Sequence, residues 1–196
     1  MNTDIDTIHA FWFGELDATG LSPADRHALW FTASAESDEA CRERFGSLVE
    51  QALAGKLSHW MQSDKGLIAL VLLLDQFTRN IYRATPQAFA GDPAALALAL
   101  QCIAHGHHQR LAAIHQVFLY LPLEHSEDLD MQEECVSLLE ELATVTGLSQ
   151  IEDFGRYAIA HRDVIARFGR FPHRNAIIGR SSSPEELAYL EKHGGF

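Results

Sequence analysis

Residues 67–74 read Leu-Ile-Ala-Leu-Val-Leu-Leu-Leu, and Asp75-Gln76-Phe77-Thr78-Arg79-Asn80 follow at once. Eight apolar residues in a row leave a helix no polar face, so this segment has to be surrounded by other elements. It is also far short of the about 20 residues that span a bilayer. The spacing predicts one helix over 65–83. Along it, Ile68, Leu72, Asp75, Arg79 and Tyr82 follow at steps of four and three, the spacing of one helix face. Asp75 and Arg79 thus lie one turn apart on a face that begins in the core. A buried lone charge costs several kcal/mol, so the two are expected to pair with each other or with further partners. Gln76 and Asn80 repeat the spacing beside them. A structural ion pair and the wall of a polar pocket both fit this pattern.

The remainder of the chain also reads as helix, near 4–13, 23–33, 38–54, 57–62, 93–105, 110–120, 127–145, 151–168 and 184–193. Ser22-Pro23, Asp92-Pro93 and Ser183-Pro184 carry a capping side chain before a proline at the first helical position. Glu186 completes a capping box with Ser183, and Ser126 precedes the acids Glu127 and Asp128 as a further cap. Gly55, Gly106, Gly147, Gly169 and Gly194 stand where the apolar period ends. No stretch alternates with period two, so strands are not expected. The short loops predict antiparallel neighbours: an all-α antiparallel array of about 9–10 helices in one domain over 1–196, with no linker.

Composition matters here mainly through charge. The 196 residues carry 27 acids against 15 Lys and Arg, a net −12, which argues against a general nucleic-acid or anionic-membrane surface. The N-terminus has acids where a secretory leader would have bases. Cys41, Cys102 and Cys135 are odd in number and widely spaced, as reduced buried thiols are. A cytoplasmic location is expected. The total hides a segregation, however. Residues 124–141 hold eight acids and no Lys or Arg, whereas 156–180 hold six Arg and one acid. The two segments can pair with each other, or part of the arginine cluster can hold an anion, a task that suits the guanidinium fork.

His161 interrupts a second apolar stripe, Phe154, Tyr157, Ile165 and Phe168. A histidine there is either hydrogen-bonded within the core or part of a site. The loop Gly169-Arg170-Phe171-Pro172-His173-Arg174-Asn175 concentrates donors on a proline-stiffened backbone. The 120–128 stretch, Tyr-Leu-Pro-Leu-Glu-His-Ser-Glu-Asp, is its acidic counterpart. Other constellations are weaker. His125-Ser126-Glu127 is too contiguous to form a nucleophile triad. Cys102, His105, His107 and His108 straddle a helix end and do not secure zinc geometry. No phosphate-binding loop, Gly-x-Gly-x-x-Gly fingerprint or Glu-x-x-His pair is present, and these motifs leave the cofactor unknown. Phe11-Trp12-Phe13 with Trp30-Phe31 reads as core packing.

Four blocks stand in order: Phe11-Trp12-Phe13-Gly14 with Trp30-Phe31; residues 72–83 leading to Ala88-Phe89-Ala90 and Asp92; residues 118–129 with Gln132; and His161 followed by residues 167–180 and Ser183. Together they resemble the bacterial family known as domain of unknown function 924, over nearly the whole chain. Ala84 stands where that family's glycine is expected. The resemblance implies an all-helical fold similar to a tetratricopeptide-like right-handed superhelix, and it brings no activity.

The residues themselves suggest a small anionic ligand held by Arg79, Arg170 and Arg174, with Gln76, Asn175 and His173 beside them. His161 or His125 would act as acid or base, oriented by Asp75, Glu124 or Asp128, if there is turnover. Two alternatives stay open: a peptide-binding helical module whose polar cluster is structural, and a metal held by Asp75, Glu124, His125 and His161. The oligomeric state is not legible.

Overall fold

The computed structural model describes residues 3–32 and 34–195, and every regular element among them is helical. The α-helices are α1 (Thr3–Trp12), α2 (Arg26–Phe31), α3 (Ala35–Leu53), α4 (64–81), α5 (Asp92–Ala104), α6 (Ala113–Glu124), α7 (Leu129–Thr146), α8 (Ser149–Phe168) and α9 (Pro184–His193). Tight 3-10 turns stand at Ser58–Gln62, Pro86–Phe89, His107–Arg110 and Pro172–Arg174. None of the described helices is long and apolar enough to cross a membrane. The chain divides into two compact units. One comprises Met1–Arg83 and Gln87–Pro122, the other Ala84–Pro86 and Leu123–Phe196.

In the first unit, α4 occupies the position its composition demands. Every residue from Ile68 to Thr78 is buried, and α1, α3 and α5 pack against it. Aromatic rings fill the space around it. Phe45 stacks on Phe77 at 4.9 Å, and Trp12 meets Phe77 edge-on at 5.0 Å. Trp12, Phe13 and Trp30 converge on Phe118 of α6. Phe31 departs from the expected core role and is exposed; the helix end predicted at residue 33 lies outside the described residues.

One feature of α4 is invisible in its periodicity. Residues Leu72–Gln76 widen into a π-helical turn, with the Phe77 N–H donating to Leu72 O five residues back. Such a turn misaligns neighbouring carbonyls, which then need other donors. The Thr78 hydroxyl donates to Leu74 O at 2.9 Å, and Arg79 Nη1 donates to Asp75 O at 2.6 Å. Gly91 lies against this same turn: a Cβ built on it would stand 2.1 Å from Leu74 O.

Several helix starts differ from expectation. Ser22 is buried and its hydroxyl has no hydrogen-bond partner among the described residues; a turn from Pro23 O to Arg26 N–H delays α2. Ser34 caps α3 by accepting from Ser37 N–H, so α3 begins earlier than residue 38. Asp92 is the first residue of α5 rather than its cap, because Arg79 engages its carboxylate. Asp128, not Ser126, caps α7 by accepting from Asp130 N–H. The capping box at Ser183 and Glu186 is present in full. Finally, α6 runs through Pro122 to Glu124 instead of ending near residue 120. The Gln132 amide closes the helix end by donating to Glu124 O at 2.5 Å and Ser126 O at 2.7 Å.

Ala84 adopts φ +61°, a left-handed conformation that costs an L-residue about 1–2 kcal/mol. Glycine at this position is free of that cost. Ala84→Gly is therefore expected to raise stability by about 1 kcal/mol. A urea melt reads this directly; an unchanged or lower midpoint would refute it.

In the second unit, α7 and α8 are joined through Gly147 (φ +65°) and Leu148 and pack along their lengths. Ile151, Phe154, Ala158, His161, Val164 and Ile165 form the buried face of α8. Tyr157, assigned to this stripe by spacing, is 63% exposed; Ala158 takes its place. Val164, Ile165 and Phe171 form a small core with Phe168 and Tyr189 against them.

Candidate functional site

The predicted polar residues fall into two groups, one in each unit. In the first, Asp75 is fully buried and Arg79 Nη1 lies 3.2 Å from its carboxylate. The guanidinium also forks onto Asp92, at 2.8 and 3.1 Å. Gln76 Nε2 donates to the second oxygen of Asp75 at 2.5 Å. Burial acts to depress the Arg79 pKa, but Asp75 and Asp92 together outweigh it and the net shift is upward. Arg79 is thus a bridge between two carboxylates. Asn80 likewise donates to Asp38 at 3.0 Å, and Arg83 pairs with the same carboxylate.

In the second unit, residues from α6, α7, α8 and the 169–180 loop meet around Phe171. The His161 ring lies edge-on to Phe171 at 5.6 Å, His173 lies at 5.6 Å, and the Arg174 guanidinium sits 4.7 Å over the ring face. Arg174 also donates to His125 O at 2.9 Å, which ties the loop to the end of α6. The rings of His125 and His161 are 6.4 Å apart. Arg174 is 8% exposed, whereas His125 and His173 are half-buried.

The hydrogen bonds determine the tautomer of His161. Its Nδ1 lies 2.9 Å from Tyr157 O, and a carbonyl can only accept, so Nδ1 carries the proton. Glu124 Oε1 stands 3.3 Å from the same nitrogen, a contact that favours the imidazolium. Burial acts against it and is the larger effect; His125, His173 and Arg174 add to it, and the pKa is pushed down to about 3. The neutral ring of His161 is therefore a positioned hydrogen-bonding group and a weak base.

Other predicted site residues serve the scaffold. Arg170 forks onto Glu186 at 2.6 and 2.9 Å. Arg170 and the Ser183 N–H hold the Glu186 carboxyl at about 2. Asp128 is the exposed cap of α7. Asn175 is fully buried and donates to Ser182 Oγ at 3.0 Å; its Oδ1 has no hydrogen-bond partner among the described residues. The acidic and arginine-rich segments meet chiefly through Glu127. That carboxylate receives Arg180 in a fork at 2.6 and 2.8 Å and the Phe171 N–H at 2.8 Å. Burial opposes its ionisation, but these donors and Arg174 prevail and its pKa is lowered. Most other arginines of the segment pair elsewhere: Arg156 with Asp153, Arg162 with Asp163, Arg167 with Glu185.

Two members of this site escape a reading by spacing. Phe171 looks like a filler among basic residues, and Glu127 like one more acid in a helix start. Their only signal is an aromatic flanked by Arg and His. Among the described residues, no group of three or more His, Cys, Asp or Glu is arranged to hold a metal. The three cysteines are buried thiols that form no disulfide, and burial pushes the Cys41 thiol up to about 12 and Cys135 well up.

Comparison with known proteins agrees with this all-helical architecture. The family described as bacterial protein of unknown function (DUF924) matches residues 8–194, and the chain belongs to that family. A solved structure of a protein of unknown function from Agrobacterium tumefaciens is similar, with 38% identity over 83% of this chain and 88% of that one, and a TM-score of 0.75. No curated protein matches.

Proposed function

We propose that this member of the family binds a small anion, a carboxylate or a phosphate, at the cluster around Phe171 in its second unit. The observation that carries this reading is the gathering of His161, His173 and Arg174 about the Phe171 ring, with the His125 ring 6.4 Å from that of His161. Burial is the main cause of the depressed pKa of His161, and a local positive field from His125, His173 and Arg174 adds to it. An anion relieves that field. The half-buried rings of His125 and His173 form the approach from solvent, and the His161 imidazole supplies a neutral contact beneath.

Arg79 and Arg170 are not ligand residues in this reading, because each already forks onto a carboxylate. The three buried thiols, none of them in a disulfide, support a reducing compartment, which in a bacterium is the cytoplasm. The superhelical arrangement implied by the family resemblance belongs to the same proposal.

Thermal melts with inorganic phosphate, acetate and citrate test the binding. A ligand at about 100 times its Kd stabilises by about 2.7 kcal/mol, roughly 5–10 °C in a protein of this size. At least one anion is expected to raise Tm on this scale in the wild type. Arg174→Ala is expected to abolish the rise relative to its own baseline, and Arg174→Lys to retain part. An equal rise in Arg174→Ala would refute the site.

A further inference from the structure

The first unit contains a second histidine arrangement that the anion cluster does not use. His9, in the last turn of α1, directs Nε2 at Lys65 O of α4 at 2.9 Å. The acceptor is a carbonyl, so Nε2–H is the donor and the tautomer is determined. The His115 ring of α6 meets His9 edge-on, with centroids 5.0 Å apart and planes at 86°. Phe13 closes the group, 5.5 Å from His9 and 4.6 Å from His115. Through this pair α1 is attached to both α4 and α6.

We propose that the His9–His115 pair is an acid-sensitive latch that releases α1 from the first unit. With both rings neutral, the hydrogen bond and the edge-to-face contacts hold the helix down. Each proton taken up charges a ring that is largely out of water, and a second charge stands 5.0 Å from the first. The charges around the pair do not offset this. On α1, Asp6 is the nearby acid, but it already serves Lys65 Nζ at 3.2 Å, and Lys65 brings a further positive charge from α4. From α2, Arg26 donates to Phe11 O and His27 lies against Trp30, neither contributing a negative charge. Burial lowers both histidines, His115 to about 3, with His9 and Lys65 adding to the effect on His115.

The sign follows from these shifts. Groups whose folded pKa is depressed leave the closed state at full strength above the ordinary histidine range, and opening grows as pH falls below it. One proton taken up on opening multiplies the opening constant about tenfold per pH unit.

Hydrogen exchange of α1 amides at pH 7.5 and pH 5.0, corrected for intrinsic rates, tests the latch. In the wild type the α1 opening constant is expected to rise about thirtyfold or more, while α8 amides, which report His161 in the second unit, follow a separate profile. His115→Phe retains an edge-to-face ring without a titrating group and is expected to cut the rise at least about threefold, leaving the share that belongs to His9. If that variant fails to fold, His9→Gln, which keeps a donor for Lys65 O, provides the same comparison. An undiminished rise in the variant, a wild-type α1 that ignores pH, or α1 and α8 opening as one would each overturn the proposal.

Discussion

Replacing Arg79 by Met is expected to lower the unfolding free energy by about 3–5 kcal/mol, the range for breaking a buried ion pair from one side. The substitution preserves much of the side chain's apolar volume, so the effect isolates the guanidinium. Without it, the fully buried Asp75 carboxylate and the Asp92 carboxylate lose their shared cation. Asp75 O, misaligned by the π-helical turn, also loses the donor at 2.6 Å. Urea denaturation of the wild type and Arg79→Met measures the difference. A change below about 1 kcal/mol would mean that water or other groups replace the guanidinium, and Arg79 would return as a candidate ligand residue.

The second large effect is expected at Gly91. Its φ of −89° is ordinary, so any cost of substitution comes from space rather than from backbone conformation. An added Cβ would stand 2.1 Å from Leu74 O and 2.8 Å from Leu74 C. Those atoms belong to the main chain of the π-helical turn and cannot rotate aside as a side chain could. Gly91→Ala must therefore push α5 away from α4 or reshape the turn, at about 3 kcal/mol by analogy with overpacked cores. The same denaturation experiment checks it. A neutral Gly91→Ala, set beside an unperturbed control such as Gly46→Ala, where nothing lies within 4 Å, would contradict the close packing of α5 on the turn.

The two sites differ in how far their amino acids reveal them. The apolar run 67–74 required a central helix, and the helix is buried all round. The spacing of Asp75 and Arg79 required a pair, and the pair forms. The π-helical turn between Leu72 and Gln76 leaves no trace in that spacing, because every residue on this stretch is buried and no face changes polarity. Cap residues mislead for a related reason. Ser22, Asp92 and Ser126 have the right chemistry, but a turn delays the helix after Ser22, Arg79 engages Asp92, and Asp128 caps in place of Ser126. Arg170 looks like an anion ligand until Glu186, sixteen residues on, folds back through its capping box to receive it. Only the fold shows that Arg79 and Arg170 fork onto carboxylates and that the Arg174 guanidinium lies on an aromatic face. Phe171 acquires its importance in the same way: it is the surface on which His161, His173 and Arg174 meet.

The binding of an anion at the Phe171 cluster is reported most directly by the histidine ring signals. The chain has 11 histidines, which serve as probes distributed over both units. In a nuclear magnetic resonance titration with inorganic phosphate at constant pH, His125, His161 and His173 are expected to shift together and to saturate. His9, His108 and His115 are expected to stay in place, and Arg174→Ala to flatten the response. No saturable shift at the three rings, a uniform drift of all histidines, or an unaltered response in Arg174→Ala would contradict phosphate binding at the Phe171 cluster.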